Sequence, residues 1–313
     1  MSTVSDNRGA LPPGAWDTHV HVFDTSIGPF APARAYTPAQ ASLSQLVDFG
    51  RNLTQASEAP SFVIVQPSPY GTDNTVLLST LRSLQALGLK GRGIAVVDVQ
   101  TITDAELQEM HDLGVRGVRL NFQADGKSVD TVAFNKALEA AAERIAHMPG
   151  WMIQVFIPGY IWDDIFDTVV ALPVPVIADH IGGLKGPSKL PEGANVDHSQ
   201  QPGYQSLTEL ARRNKVIIKI SALYRASTIT DISHDDLAPL VRSLASEVPD
   251  QLVWASDWPH TGEGKDREAN GIDKVEPFRH VDNETMLASL KGWIDSETIW
   301  AKMLVDNPAR IYK

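Results

Sequence analysis

Trp16–Asp24 reads WDTHVHVFD, an alternating segment with two histidines one residue apart. In an extended strand residues i and i+2 share a face, so His19 and His21 stand side by side while Val20 and Val22 face the other way. Taken alone, this stretch leaves two readings open: a chance pair on a polar face, or a pair with a task. The rest of the chain decides between them.

Working outward from that strand, Trp16–His21 is the first of eight short apolar runs rich in β-branched residues. The others are Ser61–Pro67 (SFVIVQP), Gly93–Asp98 (GIAVVD), Gly117–Phe122 (GVRLNF), Trp151–Ile157 (WMIQVFI), Val174–His180 (VPVIADH), Lys215–Ser221 (KVIIKIS) and Leu252–Trp258 (LVWASDW). Segments with helical periodicity lie between them, such as DNTVLLSTLRSLQALG, which opens on a cap at Asp73 or Asn74 and stops at Gly88. Strand and helix alternate throughout, which predicts a parallel sheet with helical crossovers. Eight such units fit an α/β fold of the closed (β/α)8 TIM barrel type. No Gly-x-Gly-x-x-Gly follows a strand, which argues against a dinucleotide-binding sheet. Residues 1–14 read as a flexible lead-in and 15–313 as one barrel domain.

Composition narrows the function. The chain has 313 residues, 43% of them apolar, and carries a net charge of −11, with no basic cluster longer than ARRNK at 211–215. A nucleic-acid footprint is not expected. No apolar run is long enough to span a membrane, and the polar N-terminus lacks a signal-peptide core, so a cytoplasmic protein is expected. With no cysteine in the chain, any metal chemistry must use His, Asp or Glu. A barrel gathers its functional groups at the C-terminal ends of its strands. Those ends carry His19 and His21, Gln66 and Ser68, Arg119 and Asn121, Gln154 and Phe156, Asp179 and His180, Lys219 and Ser221, then Asp257 with His260 after it.

DTHVHVF on strand 1, ADHIGG on strand 6, ASDWPH on strand 8 and the closing DNPARIY resemble the amidohydrolase superfamily, in its 2-pyrone-4,6-dicarboxylate lactonase-like branch. Similar phrases between them are VQPSPYGTDN, RGIAVVD, GVRGVRLNF and KISALYR, so the resemblance spans roughly residues 15 to 312. It implies that Asp257 is the water-activating base. Around the carbonyl it implies His19, His21 and His180, either as hydrogen-bond donors or as holders of a metal that polarises it. One-metal members of the superfamily use a strand-5 histidine, where this chain has Gln154 and Phe156. The branch shares that gap, and the resemblance implies that it works without a metal. No cofactor is therefore expected. The alternative is a single divalent ion such as zinc on His19, His21 and Asp257, with Gln154 helping.

Arg119 and Arg225 are expected to grip a substrate carboxylate, since a guanidinium at a strand end can do so bidentately. The family pattern has a further arginine shortly after the strand-4 motif, where this chain offers only Lys127. Ser68, Tyr70, Tyr224, Gln154 and Phe156 are candidate neutral contacts to substrate, and His260 is expected to orient Asp257 or line the mouth. His111, His147, His198, His234 and His280 are expected in solvent. The long connections Leu184–Tyr204 and Thr261–Asp282 are candidate lids. The expectation is a hydrolase opening a lactone or similar cyclic ester, its partner an anionic small molecule, with assembly as a homo-oligomer left open. The alternatives are a metal-dependent non-oxidative decarboxylase and a non-catalytic metabolite-binding barrel.

Overall fold

The computed structural model describes residues 9–54, 58–121, 129–229, 233–262 and 271–313. Eight parallel strands, β1 (Trp16–Val20), β2 (Ser61–Val65), β3 (Gly91–Ala95), β4 (Val115–Asn121), β5 (Met152–Phe156), β6 (Val176–Ala178), β7 (Val216–Ser221) and β8 (Leu252–Ala255), pair in chain order. All eight expected runs are strands. β3 and β4 begin slightly earlier than their runs, at Gly91 and Val115. A parallel bridge from Val20 to Trp258 joins the last strand to the first, and the His21 N–H donates to the Trp258 carbonyl at 2.9 Å. The sheet is the expected (β/α)8 barrel. Among the described residues no helix is long and apolar enough to cross a membrane.

The helices follow the local grammar of the chain. Thr75–Ala86 buries Val76, Leu77, Leu81 and Leu84 on one stripe. Its first turn is met by Asp73 Oδ1, which accepts from the Thr75 N–H, and the chain leaves at Gly88 with a left-handed φ of 70°. Asp104–Asp112 starts on a capping box between Thr103 and Glu106, a device worth about 1 kcal/mol.

Side-chain alternation along the strands stacks two layers inside the barrel. The lower is apolar: Val63, Ile94, Met152, Ile177, Ile217 and Val253 pack with Trp16 and Tyr312. Trp16 and Tyr312 stack at 6.0 Å between centroids and plug that end. One period-2 step along β5, β6 and β7 replaces Met152 by Gln154, Ile177 by Asp179 and Ile217 by Lys219. Polar groups thus sit on an apolar floor, all of them buried.

Of the expected lids, Leu184–Tyr204 is tied down where Lys185 Nζ donates to the Arg225 carbonyl at 2.9 Å. Thr261–Asp282 contains a short strand, Val275–Glu276, paired with Thr37–Pro38 after β1, and its residues 263–270 lie outside the described residues. Lys127 also lies outside them. Two histidines depart from expectation: His234 is buried, and His111 Nδ1 accepts from Trp151 Nε1 at 3.1 Å.

Candidate active site

Barrel closure assembles the centre. The Asp257 N–H donates to the His19 carbonyl at 3.1 Å, and Asp17 Oδ1 accepts from the Ser256 N–H at 2.9 Å. The end of β8 is thereby fixed against the end of β1. Asp257 Oδ1 faces three imidazoles, at 3.7 Å from His19 Nε2 and 3.9 Å from His21 Nε2 and His180 Nε2. His180 reaches this place from a left-handed backbone turn after β6, with φ 52°. The turn needs Gly183, where a Cβ would lie 2.1 Å from the Ile157 carbonyl oxygen.

The outward ring nitrogens fix the tautomers. His21 Nδ1 lies 2.8 Å from the Val65 carbonyl oxygen, which can only accept, so this nitrogen carries the hydrogen. His19 Nδ1 faces Asp179 Oδ1 at 3.2 Å and is a donor for the same reason. Both Nε2 lone pairs therefore point inward, and these atoms are 3.3 Å apart. Burial, with Arg119 second, depresses the His21 pKa to about 4. Burial does the same for His180, also to about 4, and holds His19 well below its usual value. Neutral rings at neutral pH cannot donate from Nε2. The donor role expected of His19 and His21 thus requires a cation on the pair, either a proton or a metal ion.

The second oxygen of Asp257 is held differently. Tyr224 Oη donates to Oδ2 at 2.7 Å and Arg225 Nε at 3.1 Å. Burial pushes this carboxyl up, but His180, Arg225, His19 and His21 outweigh it and keep it well below the usual carboxylate range. Once the imidazoles are neutral, Arg225 is the full charge that remains beside it.

Among the comparisons, the family model for amidohydrolases matches residues 16–313. The chain belongs to the amidohydrolase family. A 2-pyrone-4,6-dicarboxylate hydrolase from Comamonas testosteroni is 33% identical over 96% of this chain and 91% of its own. A 4-sulfomuconolactone hydrolase from Hydrogenophaga intermedia is 29% identical over 99% of this chain and 92% of its own. A crystal structure from Agrobacterium tumefaciens shares the fold with a TM-score of 0.74, 22% identity and 97% coverage of both chains.

A metal suits this amidohydrolase centre on geometric grounds. Two imidazole nitrogens on one tetrahedral zinc, each at ~2.0–2.1 Å, stand roughly 3.3–3.4 Å apart, and His19 Nε2 and His21 Nε2 are 3.3 Å apart. With Asp257 they form one of two groupings able to hold an ion among the described residues. The other is His19, Asp179 and His180. Phe156 packs edge-on against His180 at 4.8 Å, so the missing strand-5 imidazole is replaced by a ring that walls the site.

The other expected residues divide into two groups. Arg119 and Arg225 are both at the mouth of the barrel. Arg119 is buried, its Nη1 donates to the Gln66 carbonyl at 3.2 Å, and its Nε has no hydrogen-bond partner among the described residues. Ser68 is half-buried at the head of a short turn after β2. Three residues are turned to structural tasks. The Tyr70 hydroxyl accepts from the Asp24 N–H at 2.8 Å and its ring stacks on Phe23. Gln154 spends both ends of its amide on Lys219 and Asp179, at 2.7 and 2.9 Å. His260 Nε2 meets Asn283 Nδ2 at 3.0 Å, with its ring edge-on to Tyr224, and does not touch the Asp257 carboxylate in that position.

Sequence reading assigned no role to Asp17, Asp179, Lys219 or Ser221. Ser221 Oγ pairs with His180 Nδ1 at 2.9 Å. Lys219 carried a signal, because a lysine inside the apolar run KVIIKIS must be either exposed or paired. Tyr36, buried and near enough to act electrostatically on both Arg119 and Arg225, had none: it lies in an irregular loop.

Proposed function

We propose that this amidohydrolase opens a lactone bearing an anionic group. The observation that carries this reading is Asp257 Oδ1, a carboxylate oxygen with no donor closer than 3.7 Å among the described residues, facing three imidazole nitrogens beneath two arginines. Similarity to relatives named for hydrolysing 2-pyrone-4,6-dicarboxylate and 4-sulfomuconolactone supports the substrate class.

In this reading Arg119 and Arg225 bind the anionic group and present the ester carbonyl to His19, His21 and His180. Asp257 Oδ1 takes a proton from water as the water oxygen bonds to the carbonyl carbon. The tetrahedral oxyanion then collapses, the ring C–O bond breaks, and the proton on Asp257 passes to the leaving oxygen. Tyr224 and Arg225 hold Oδ2 so that Oδ1 stays aimed. His19, His21 and Asp257 would hold a divalent ion, which when bound supplies Lewis-acid polarisation of the carbonyl.

The test is a panel of carboxylated, sulfonated and neutral lactones, followed by ring opening and acid release, with metal content measured before and after prolonged chelation. Opening of anionic lactones in preference to neutral ones is expected. A folded, metal-replete protein that opens none of them, or that instead releases carbon dioxide from aromatic acids, would overturn the reading. The chelation arm identifies the cation on the His19–His21 pair. Activity retained below roughly a tenth of an equivalent of metal assigns a shared proton, and activity that tracks metal assigns the ion.

A further inference from the structure

Below the reacting centre lies a closed ring of buried polar groups. Lys219 Nζ donates to Gln154 Oε1 at 2.7 Å, Gln154 Nε2 donates to Asp179 Oδ2 at 2.9 Å, and Asp179 Oδ1 returns to Lys219 Nζ at 3.4 Å. Asp179 Oδ1 also receives His19 Nδ1 at 3.2 Å. The side chains of Lys219, Asp179 and His19 are 0% exposed.

We infer that Lys219 is a positioning residue, which with Gln154 locks Asp179 as the acceptor for His19 Nδ1–H and so aims the His19 Nε2 lone pair at the reacting centre. Lys219 Nζ also lies 3.4 Å from His19 Nδ1, but the carboxylate oxygen of Asp179 is closer, at 3.2 Å, and takes the Nδ1 hydrogen; with that settled, the ring's own hydrogens have one arrangement. An ammonium can only donate, so Gln154 must turn its oxygen to Lys219 and its NH2 to Asp179. Asp179 is then satisfied at Oδ2 by an amide and held at Oδ1 by a cation, which leaves the His19 ring to supply the remaining donor. Without Lys219, the Gln154 amide could flip and Asp179 could rotate toward Arg119, whose Nη2 is 3.7 Å from Oδ2. His19 would then lose its fixed tautomer. An apolar residue at position 219 would have packed as well on the Met152 and Ile217 layer, so folding alone does not call for a buried lysine here. Outer partners of this kind commonly change activity 10- to 100-fold when removed.

This inference shares the His19 assignment with the lactone reading, so its test includes a measurement that needs no substrate. Nitrogen-15 NMR of the full-length protein reports which His19 ring nitrogen carries hydrogen. Wild type should show protonated Nδ1. Lys219→Met should lose that single-tautomer signature and, on whichever lactone wild type opens, lower kcat about 10- to 100-fold with KM changed less than about threefold. Gln154→Met keeps the Lys219–Asp179 charge pair and covers the case in which Lys219→Met does not fold; a mixed His19 tautomer and a smaller kcat loss are expected. A His19 that carries its hydrogen on Nε2 and none on Nδ1 in wild type would overturn the inference. So would a folded Lys219→Met protein, or a Gln154→Met protein, that keeps the wild-type tautomer and kcat. If no lactone is opened, the tautomer comparison alone decides.

Discussion

Asp257 and Asp179 are the same chemical group in the same barrel, each held by at least one cation and one neutral donor, yet they are built for opposite ends. Asp179 has Lys219, Gln154 and His19 closed around both of its oxygens. Asp257 has Tyr224 and Arg225 on Oδ2 alone, and among the described residues its Oδ1 meets only ring nitrogens at 3.7 to 3.9 Å. Both carboxyls are held well below the usual range although burial pushes each of them up. What separates anchor from reagent is therefore an open oxygen rather than proton affinity. A carboxylate with a free lone pair beside unprotonated imidazoles can receive a proton from water, and one with both oxygens bonded cannot.

Exchanging each aspartate for asparagine should break the comparison most sharply. Asp257→Asn removes the basic oxygen and keeps the shape, so kcat should fall ~10²–10⁴-fold with thermal stability nearly unchanged. Asp179→Asn strips the counter-charge from buried Lys219, which costs about 3–5 kcal/mol, or roughly 10 °C in melting temperature for a chain of this size. Paired calorimetry and kinetics on both variants check this. Near-normal turnover in a folded Asp257→Asn protein would remove the reagent from the account.

A smaller effect separates the two arginines of the mouth. Arg119 has a buried Nε with no partner among the described residues, whereas Arg225 is already committed to Asp257 and to Thr261. Replacing either by Met should weaken an anionic lactone about 10- to 100-fold in kcat/KM and spare its neutral ester analogue, because only the former loses a charge-assisted bond. Arg225→Met should also reduce kcat on the neutral analogue, since it frees Asp257 Oδ2. Equal losses on both substrates for Arg119→Met would make that arginine structural.

The upper tier of the site was legible because its residues occupy strand ends in local phrases, DTHVH, ADHIGG and ASDWPH. Period-2 alternation placed His19 beside His21, and strand order brought Asp257 to them. The lower tier was not legible as a unit. Gln154 and Lys219 lie on β5 and β7 and Asp179 directly follows β6, and their meeting depends on the stagger of the barrel, which pairs Gln154 with Ile177 and Ala178 with Ile218. Periodicity says which face a residue takes and nothing about the height at which it meets its neighbours. Tyr70 and Gln154 were assigned to substrate because polarity at a strand end cannot reveal whether a partner from another strand has already taken the group.

The smallest effect expected is on stability, and it bears on the cation that His19 and His21 share. His21, His180 and His260 are each pushed by burial from 6.5 to about 4. Between those values the unfolded chain takes up protons that the folded chain refuses, so acidification favours unfolding. Asp17 opposes this, because burial raises its carboxyl to about 7 and the folded chain keeps a proton that the unfolded chain has lost above 3.8. His19, held well below its usual value by burial, adds to these three, so at least four groups act against one. The melting temperature of chelator-treated protein should therefore fall from pH 6.5 to 4.5, by an amount reflecting a few kcal/mol, and fall more steeply in Asp17→Asn. A flat or rising profile would mean that the imidazoles are charged in the folded protein. The proton their Nε2 atoms need would then be resident, and carbonyl polarisation would require no ion.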